Sequence, residues 1–244
     1  MHGLIDGLYT PYAAGITFDW SACCSYTKGV FLFRVFLLIL GFILLRDTMT
    51  PVGLWEFGVT ENTMWLRFID SGFILLVLAV TSLIAVWGIV KWLDVELICF
   101  KTADKMRSIM IAAGAAAVVV VPFMIPYFSV PIEERGGSVH FTLWIMLLVF
   151  ALCGNLLEEV LFRGMFQEYM HKFVKPLHAI VLSGLLFAVG HTFLAITVTD
   201  LGFLVLLFTL VEGLMCAFIY YRYGLLPATV THGLSIFLLS VGWV

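Results

Sequence analysis

The chain has few charged residues, and this scarcity excludes an ordinary soluble protein. Asp, Glu, Lys and Arg make up 12% of its 244 residues, whereas hydrophobic residues make up 62%. A typical soluble domain is about 45–50% apolar and about 25% charged. A soluble fold of this composition would lack the polar side chains that a water-exposed surface needs. We therefore expect a protein embedded in a lipid bilayer.

The chain also lacks an excess of one charge. Its formal net charge is −3, and the charged residues are spread along the sequence. Binding to nucleic acid depends on neutralising phosphates with clustered Lys and Arg. No nucleic-acid partner is therefore expected.

Cysteines are few, and their spacing is not that of a metal site. None of the pairs has zinc-finger spacing, and the adjacent pair is a poor structural disulfide. We expect mostly buried, small apolar side chains. The five cysteines are Cys23, Cys24, Cys99, Cys153 and Cys216.

Long apolar segments are abundant. A helix that spans a bilayer needs about 20 mainly apolar residues. The candidate spans are Val30–Leu45, Gly72–Leu93, Ile109–Val130, Phe141–Leu157, Ala179–Val198, Leu201–Tyr221 and Leu225–Val244. Pro122 and Pro126 are expected to kink or divide the third span, because proline removes a backbone donor. The fold class predicted is all-α, a polytopic transmembrane helical bundle.

The sequence indicates one domain behind a short tail. Residues 1–28 have no early basic residue and no compact apolar run, so we predict a polar N-terminal tail and not a cleaved signal peptide. Without a linker or repeat, residues 29–244 are expected to form a single intramembrane helical domain.

Basic residues in the loops predict the orientation, because they are enriched on the cytoplasmic side. With the N-terminus inside, eight basic residues face the cytoplasm and three face the opposite side. We therefore predict a multi-pass protein of the cell's inner or plasma membrane, with a cytoplasmic N-terminus. The eight are Lys28, Lys91, Lys101, Lys105, Arg107, Lys172, Lys175 and Arg222; the three are Arg46, Arg67 and Arg135.

Ionisable residues within apolar spans are candidates for function, because a bilayer makes them costly. On a helix, Glu159 and Arg163 are four residues apart and share a face, which predicts an ion pair. Glu158 lies about 100° around the helix, on the face of Asn155 and Phe162. It is expected to have no cation of its own, and such a carboxylate is suited to take a proton from water. The alternative is an interfacial cap where the helix leaves the membrane.

Three further ionisable residues lie in later spans: His191, Glu212 and His232. A lone buried histidine is usually a packed core residue, but two histidines beside a glutamate pair are harder to explain by packing. Glu212 has no basic neighbour in sequence. It is either protonated and bonded to a neighbouring helix, or paired with Arg163 or a histidine.

These residues resemble the motifs of one family. The run from Glu158-Glu159 to Arg163 is similar to the EExxxR motif of the CAAX-protease and bacteriocin-processing family (CPBP, or Abi). Phe187 to His191 matches its FxxxH motif, and His232 matches the histidine of its HxxxN motif. Their order, spacing and apolar context agree across roughly the C-terminal half. Members often have eight helices, which implies seven to eight here, with residues 158–172 as the eighth.

The resemblance implies an intramembrane glutamic endopeptidase without a cofactor or metal, with its catalytic core in residues 141–244. Glu158 with His191 would activate the attacking water, Glu159 would support the site, and His232 would help to stabilise the oxyanion. The implied substrate is a membrane-associated, lipid-anchored or membrane-sorted protein or peptide. Because Glu158 is predicted at the end of a span that runs inward, cleavage is expected near the cytoplasmic face.

One position departs from the family pattern. Ile236 stands where HxxxN has its asparagine, and isoleucine cannot donate a hydrogen bond. Two nearby side chains are candidates to replace that donor: the hydroxyl of Ser235 and the amide of Asn155. The departure also fits an inactive relative or a divergent subfamily.

Two other functions use the same features. Glu158, His191 and His232 are potential ligands of a catalytic zinc, although no HExxH motif is present. A non-catalytic protein that binds or chaperones a membrane partner would explain Ile236. A transporter is less compatible, because no repeat symmetry or pair of broken helices is evident.

Overall fold

The computed structural model describes residues 28–61, 63–192, 195–196 and 202–242. Seven α-helices of fifteen residues or more lie in these ranges, so the all-α class is confirmed. They are α1 Lys28–Asp47, α2 Gly72–Leu93, α3 Lys105–Met124, α4 Trp144–Glu159, α5 Pro176–Gly190, α6 Phe203–Tyr223 and α7 Leu225–Ser240.

Five helical stretches in the described residues are long and apolar enough to cross a membrane, and the protein is an integral membrane protein. They are Gly29–Asp47, Gly72–Leu93, Lys105–Phe128, Phe141–Met170 and Phe203–Tyr223. The helices α5 and α7 are apolar but shorter. Residues 1–27 of the predicted tail lie outside the described residues, and the single-domain arrangement stays a prediction.

The third predicted span changes its helix type at the second proline. The helix begins earlier than predicted, at Lys105, because the side chain of Asp104 accepts a hydrogen bond from the Arg107 N–H and caps it. It continues through Pro122 and ends at Met124. A 3₁₀ turn over Ile125–Phe128 follows, with Pro126 in its first turn.

The predicted eighth helix is not a separate element. The helix α4 continues directly into a π-helical segment, Val160–Gln167, and a last turn at Glu168–Met170. Glu158 therefore lies inside a helical stretch of 30 residues, Phe141–Met170, and not at the end of a helix. The polar run suggested a membrane boundary, but the structure buries these side chains among other helices.

A β-hairpin between α1 and α2 is the element that the sequence analysis missed. Strand β1, Trp55–Thr60, pairs antiparallel with β2, Thr63–Phe68. Aromatic and β-branched residues recur in both strands, a composition typical of a hairpin. Trp55 and Leu66 are buried, and both contribute to the wall of the cavity described below.

Glycines let the helices that carry the functional residues approach closely. A Cβ at Gly213 of α6 would lie 3.1 Å from the carbonyl oxygen of Gly184 in α5. A Cβ at Gly233 of α7 would lie 3.0 Å from Cα of Leu152 in α4. Small residues of this kind are typical of helix contacts in membranes, because they allow close backbone packing. A larger side chain at either glycine would push apart helices that form the candidate site.

The two ends of the bundle differ in their polar contacts. At one end, Lys101 Nζ lies 3.0 Å from Glu168 Oε2. At the other end, Arg67 of the hairpin donates hydrogen bonds to the carbonyls of Leu239 and Ser240. Residues assigned to opposite sides of the membrane therefore lie at opposite ends of the bundle. Which end faces the cytoplasm stays a prediction.

Candidate active site

Ionisable residues of four helices, together with His191 directly after a fifth, meet at one small cavity inside the bundle. Its volume is about 20 Å³, which is enough for about one water molecule. The hairpin residues Trp55, Phe57 and Leu66 form part of its apolar wall, together with Ile236. Its polar wall consists of Arg46, Glu158, His191, Thr209, Glu212 and His232.

The predicted ion pair between Glu159 and Arg163 is confirmed. Nη1 of Arg163 lies 2.9 Å from Oε1 of Glu159, and both side chains are fully buried. Nη2 of Arg163 donates to the carbonyl oxygen of Gly213 at 3.0 Å. The guanidinium also lies 4.5 Å from the ring centroid of Phe187. The arginine therefore links Glu159 of α4 to Phe187 of α5 and Gly213 of α6.

The expectation that Glu158 has no cation of its own is wrong. Nη1 of Arg46, at the end of α1, lies 2.9 Å from Oε1 of Glu158. Spacing within one helix does not reveal this cation, because it comes from a helix more than a hundred residues earlier. The contact is a charge contact without a well-directed hydrogen bond. Neither oxygen of Glu158 has a hydrogen-bond partner among the described residues.

His232 lies between three carboxylates. Its Nδ1 is 2.9 Å from Oε1 of Glu159. Because a carboxylate only accepts, the proton of this bond belongs to Nδ1. Its Nε2 faces the cavity side, 3.7 Å from Oε2 of Glu212 and 3.9 Å from Oε2 of Glu158. The ion pair of Glu159 and Arg163 thus also orients the histidine.

His191 follows the last residue of α5 and lines the same cavity. Its Nδ1 donates to the carbonyl oxygen of Phe187 at 2.8 Å, so Nε2 of the neutral ring is an acceptor. The ring of Phe187 is 4.5 Å from that of His191 and 5.4 Å from that of His232, centroid to centroid. The phenylalanine of the FxxxH motif therefore packs against both histidines.

Glu212 is buried, and the structure places it beside a histidine. Of the alternatives for this residue, its position next to His232 is the one observed. Its Oε1 has no hydrogen-bond partner among the described residues. Two carboxylates with unpartnered oxygens, from α4 and α6, therefore line the cavity.

Neither residue suggested as a replacement for the motif asparagine lines the cavity. The hydroxyl of Ser235 is buried and donates to the carbonyl oxygen of Thr231 at 2.9 Å. Asn155 is buried one turn before Glu158. Ile236, in contrast, is part of the cavity wall. The additional polar donor there is Arg46, which was predicted to lie in the loop after the first span.

Three side chains next to the cavity lie close enough together to bind a metal ion, but their other contacts do not fit a metal site. One ligand atom from each of Glu159, Cys216 and His232 lies within 4.8 Å of the others. Oε1 of Glu159 is already in contact with Arg163 and His232. The arginine also brings a positive charge to the place that a cation would occupy. This group is better explained as the support of His232.

The fold and this centre define a polytopic membrane protein with a buried glutamate–histidine site. Residues 140–238 match the family model described as type II CAAX prenyl endopeptidase Rce1-like. This segment is therefore an Rce1-like domain of the CAAX-protease type, and the predicted family resemblance is confirmed. Comparison with curated proteins and with solved structures found no match. Arg46 and the hairpin lie outside the matched segment.

Proposed function

We propose that the protein is a glutamate-dependent intramembrane endopeptidase that cleaves a membrane-associated, lipid-anchored or membrane-sorted protein or peptide. The observation that carries the proposal is the cavity where Glu158, His191 and His232 meet, with room for about one water. An Rce1-like domain holds all three residues. The bilayer core contains no bulk water, so a polar cavity among helices is what hydrolysis there requires.

In the proposed reaction, Glu158 takes a proton from the water, and the resulting hydroxide attacks the carbonyl carbon of the scissile peptide. The electron pair of the C=O bond moves to its oxygen and gives a tetrahedral oxyanion. Nε2 of His191 holds the water as an acceptor. When the intermediate collapses, the C–N bond breaks and the nitrogen leaves with the proton from Glu158. The products are a carboxylic acid, which ionises, and an amine.

His232 is proposed to stabilise the oxyanion. In its imidazolium form it donates from both ring nitrogens, from Nδ1 to Glu159 and from Nε2 into the cavity. Glu159 fixes the ring at 2.9 Å, and Arg163 fixes Glu159. Preorganised donors of this kind are a large source of catalysis, because they need no reorientation as charge develops.

The test of the proposed function is a search for cleavage products. The purified full chain, reconstituted into liposomes, is incubated with membrane-tethered peptides, and new termini are identified by mass spectrometry. We expect cleavage at defined positions by the wild-type protein. Tight binding of peptides without any new terminus would instead support a non-catalytic binding protein, the alternative that Ile236 favours.

Zinc hydrolysis by the same residues is a second candidate, because Glu158, His191 and His232 line one cavity. We predict that cleavage persists after prolonged treatment with a strong chelator, since Arg46 already brings a positive charge to Glu158. Metal content by mass spectrometry and cleavage rate are measured on the same sample. Loss of activity on chelation that added zinc restores would establish the zinc mechanism instead.

A further inference from the structure

Arg46 is a buried cation at the cavity that the Rce1-like domain does not supply. Its side chain lies on Glu158 and over Trp55, with the guanidinium carbon 4.5 Å from a ring centroid of the indole. Its Nε is buried and has no hydrogen-bond partner among the described residues. A buried N–H without a partner is costly, so this donor calls for an explanation.

The cavity lacks a donor at the position where Ile236 stands. Arg46 and Ile236 line the same cavity as Glu158 and His232. An oxyanion is stabilised by N–H groups 2.7–3.1 Å from the oxygen, and isoleucine supplies none. Arginine carries five N–H donors and a permanent charge. It can contact Glu158 through Nη1 and still donate from another nitrogen.

We propose that Arg46 is a catalytic residue, and that its guanidinium stabilises the oxyanion in place of the amide that Ile236 cannot provide. This inference rests on the proposed function. The arginine belongs to α1, outside residues 140–238. The site of this protein is therefore completed by a side chain from outside its Rce1-like domain.

In the proposed reaction, the negative charge next to Arg46 moves from the Glu158 carboxylate to the substrate oxygen. In the resting site the guanidinium faces the Glu158 carboxylate at 2.9 Å. When Glu158 takes the proton of the water it becomes neutral and attracts the cation less. At the same step a negative charge forms on the substrate oxygen. The arginine therefore binds the transition state more strongly than the resting state, which is the condition for raising kcat.

The test is a double-mutant cycle over Arg46 and Ile236, with kcat and KM measured on a peptide that the wild-type protein cleaves. Arg46→Met is expected to lower kcat about 10²-fold or more, with little change in KM. Ile236→Asn is expected to restore at least about tenfold of the lost kcat in the Arg46→Met background, because coupled residues are not additive. Arg34→Met is the matched control, since Arg34 lies on the same helix against Trp92.

Folding is checked by thermal unfolding in detergent. If Arg46→Met does not fold, Arg46→Lys takes its place; it keeps the charge but loses the planar donors, and Ile236→Asn should rescue its lowered kcat as well. Unchanged or faster cleavage without the arginine would overturn the role of Arg46 and leave the protease standing. A kcat loss that Ile236→Asn does not rescue would also overturn it. A wild-type protein that cleaves nothing would overturn the proposed function itself.

Discussion

Replacing Glu158 by glutamine is expected to abolish cleavage while the protein still folds. Glutamine has nearly the same shape, so the packing of α4 is kept, but its amide cannot take a proton from water. General-base catalysis contributes about 10²–10⁴-fold, and kcat should fall by at least this factor. The measurement is the rate of product formation by purified protein in liposomes, normalised to the folded fraction.

Glu133→Gln is the matched control, because Glu133 is an exposed carboxylate. It should cleave as the wild type does. In the Glu158→Gln protein the amide oxygen can still accept from Arg46, and the guanidinium lies over Trp55, so stability should fall less than activity. Near-normal turnover by Glu158→Gln would remove Glu158 from the role of base. Glu212, whose Oε2 lies 3.7 Å from Nε2 of His232, would then be the carboxylate to examine.

Replacing Arg163 by methionine is expected to damage folding at least as much as chemistry. The change leaves the fully buried Glu159 carboxylate without its cation and removes the bond to the Gly213 carbonyl. Breaking one side of a buried ion pair costs about 3–5 kcal/mol. We expect a large loss of correctly inserted, detergent-stable protein, measured by thermal unfolding and by yield after size-exclusion chromatography.

The double variant Arg163→Met with Glu159→Gln separates charge from packing. Glutamine at position 159 still accepts from Nδ1 of His232 but needs no cation, so the double variant should be more stable than Arg163→Met alone. Arg107→Met is the control for loss of an arginine, because Arg107 is exposed. A fully stable Arg163→Met protein would show that Glu159 does not depend on the pair.

Local spacing was sufficient to predict several of these features. Four-residue spacing on one helix gave the ion pair of Glu159 and Arg163, because neighbours on a helix face must meet. The bounds of α2 predicted from hydropathy, Gly72–Leu93, are the observed ones, because a spanning helix has a narrow range of lengths. The cost of charges in lipid singled out His191 and His232, and the structure brings both to one cavity.

Features that depend on distant residues could not be derived in this way. The cation of Glu158 comes from Arg46, and nothing in the local sequence of either residue specifies the other. The helix that carries Glu158 was predicted to end too early, after Leu157, because burial among helices and exposure at an interface leave the same polar pattern. The hairpin beginning at Trp55 has a local signal in its aromatic and β-branched residues, but its six-residue strands are too short to be recognised as membrane spans.

The contact between Arg67 and the end of α7 has a consequence for the order in which the molecule forms. The last carbonyls of a helix have no partner within it, and in α7 those of Leu239 and Ser240 accept from a side chain 172 and 173 residues earlier. A contact of such long range closes a long loop, and the entropy of that closure opposes it early in folding. During synthesis, Arg67 cannot donate to the carbonyls of Leu239 and Ser240 until these residues have been added. The helix that carries His232 therefore gains this contact only after both the hairpin and residues 239 and 240 have been made.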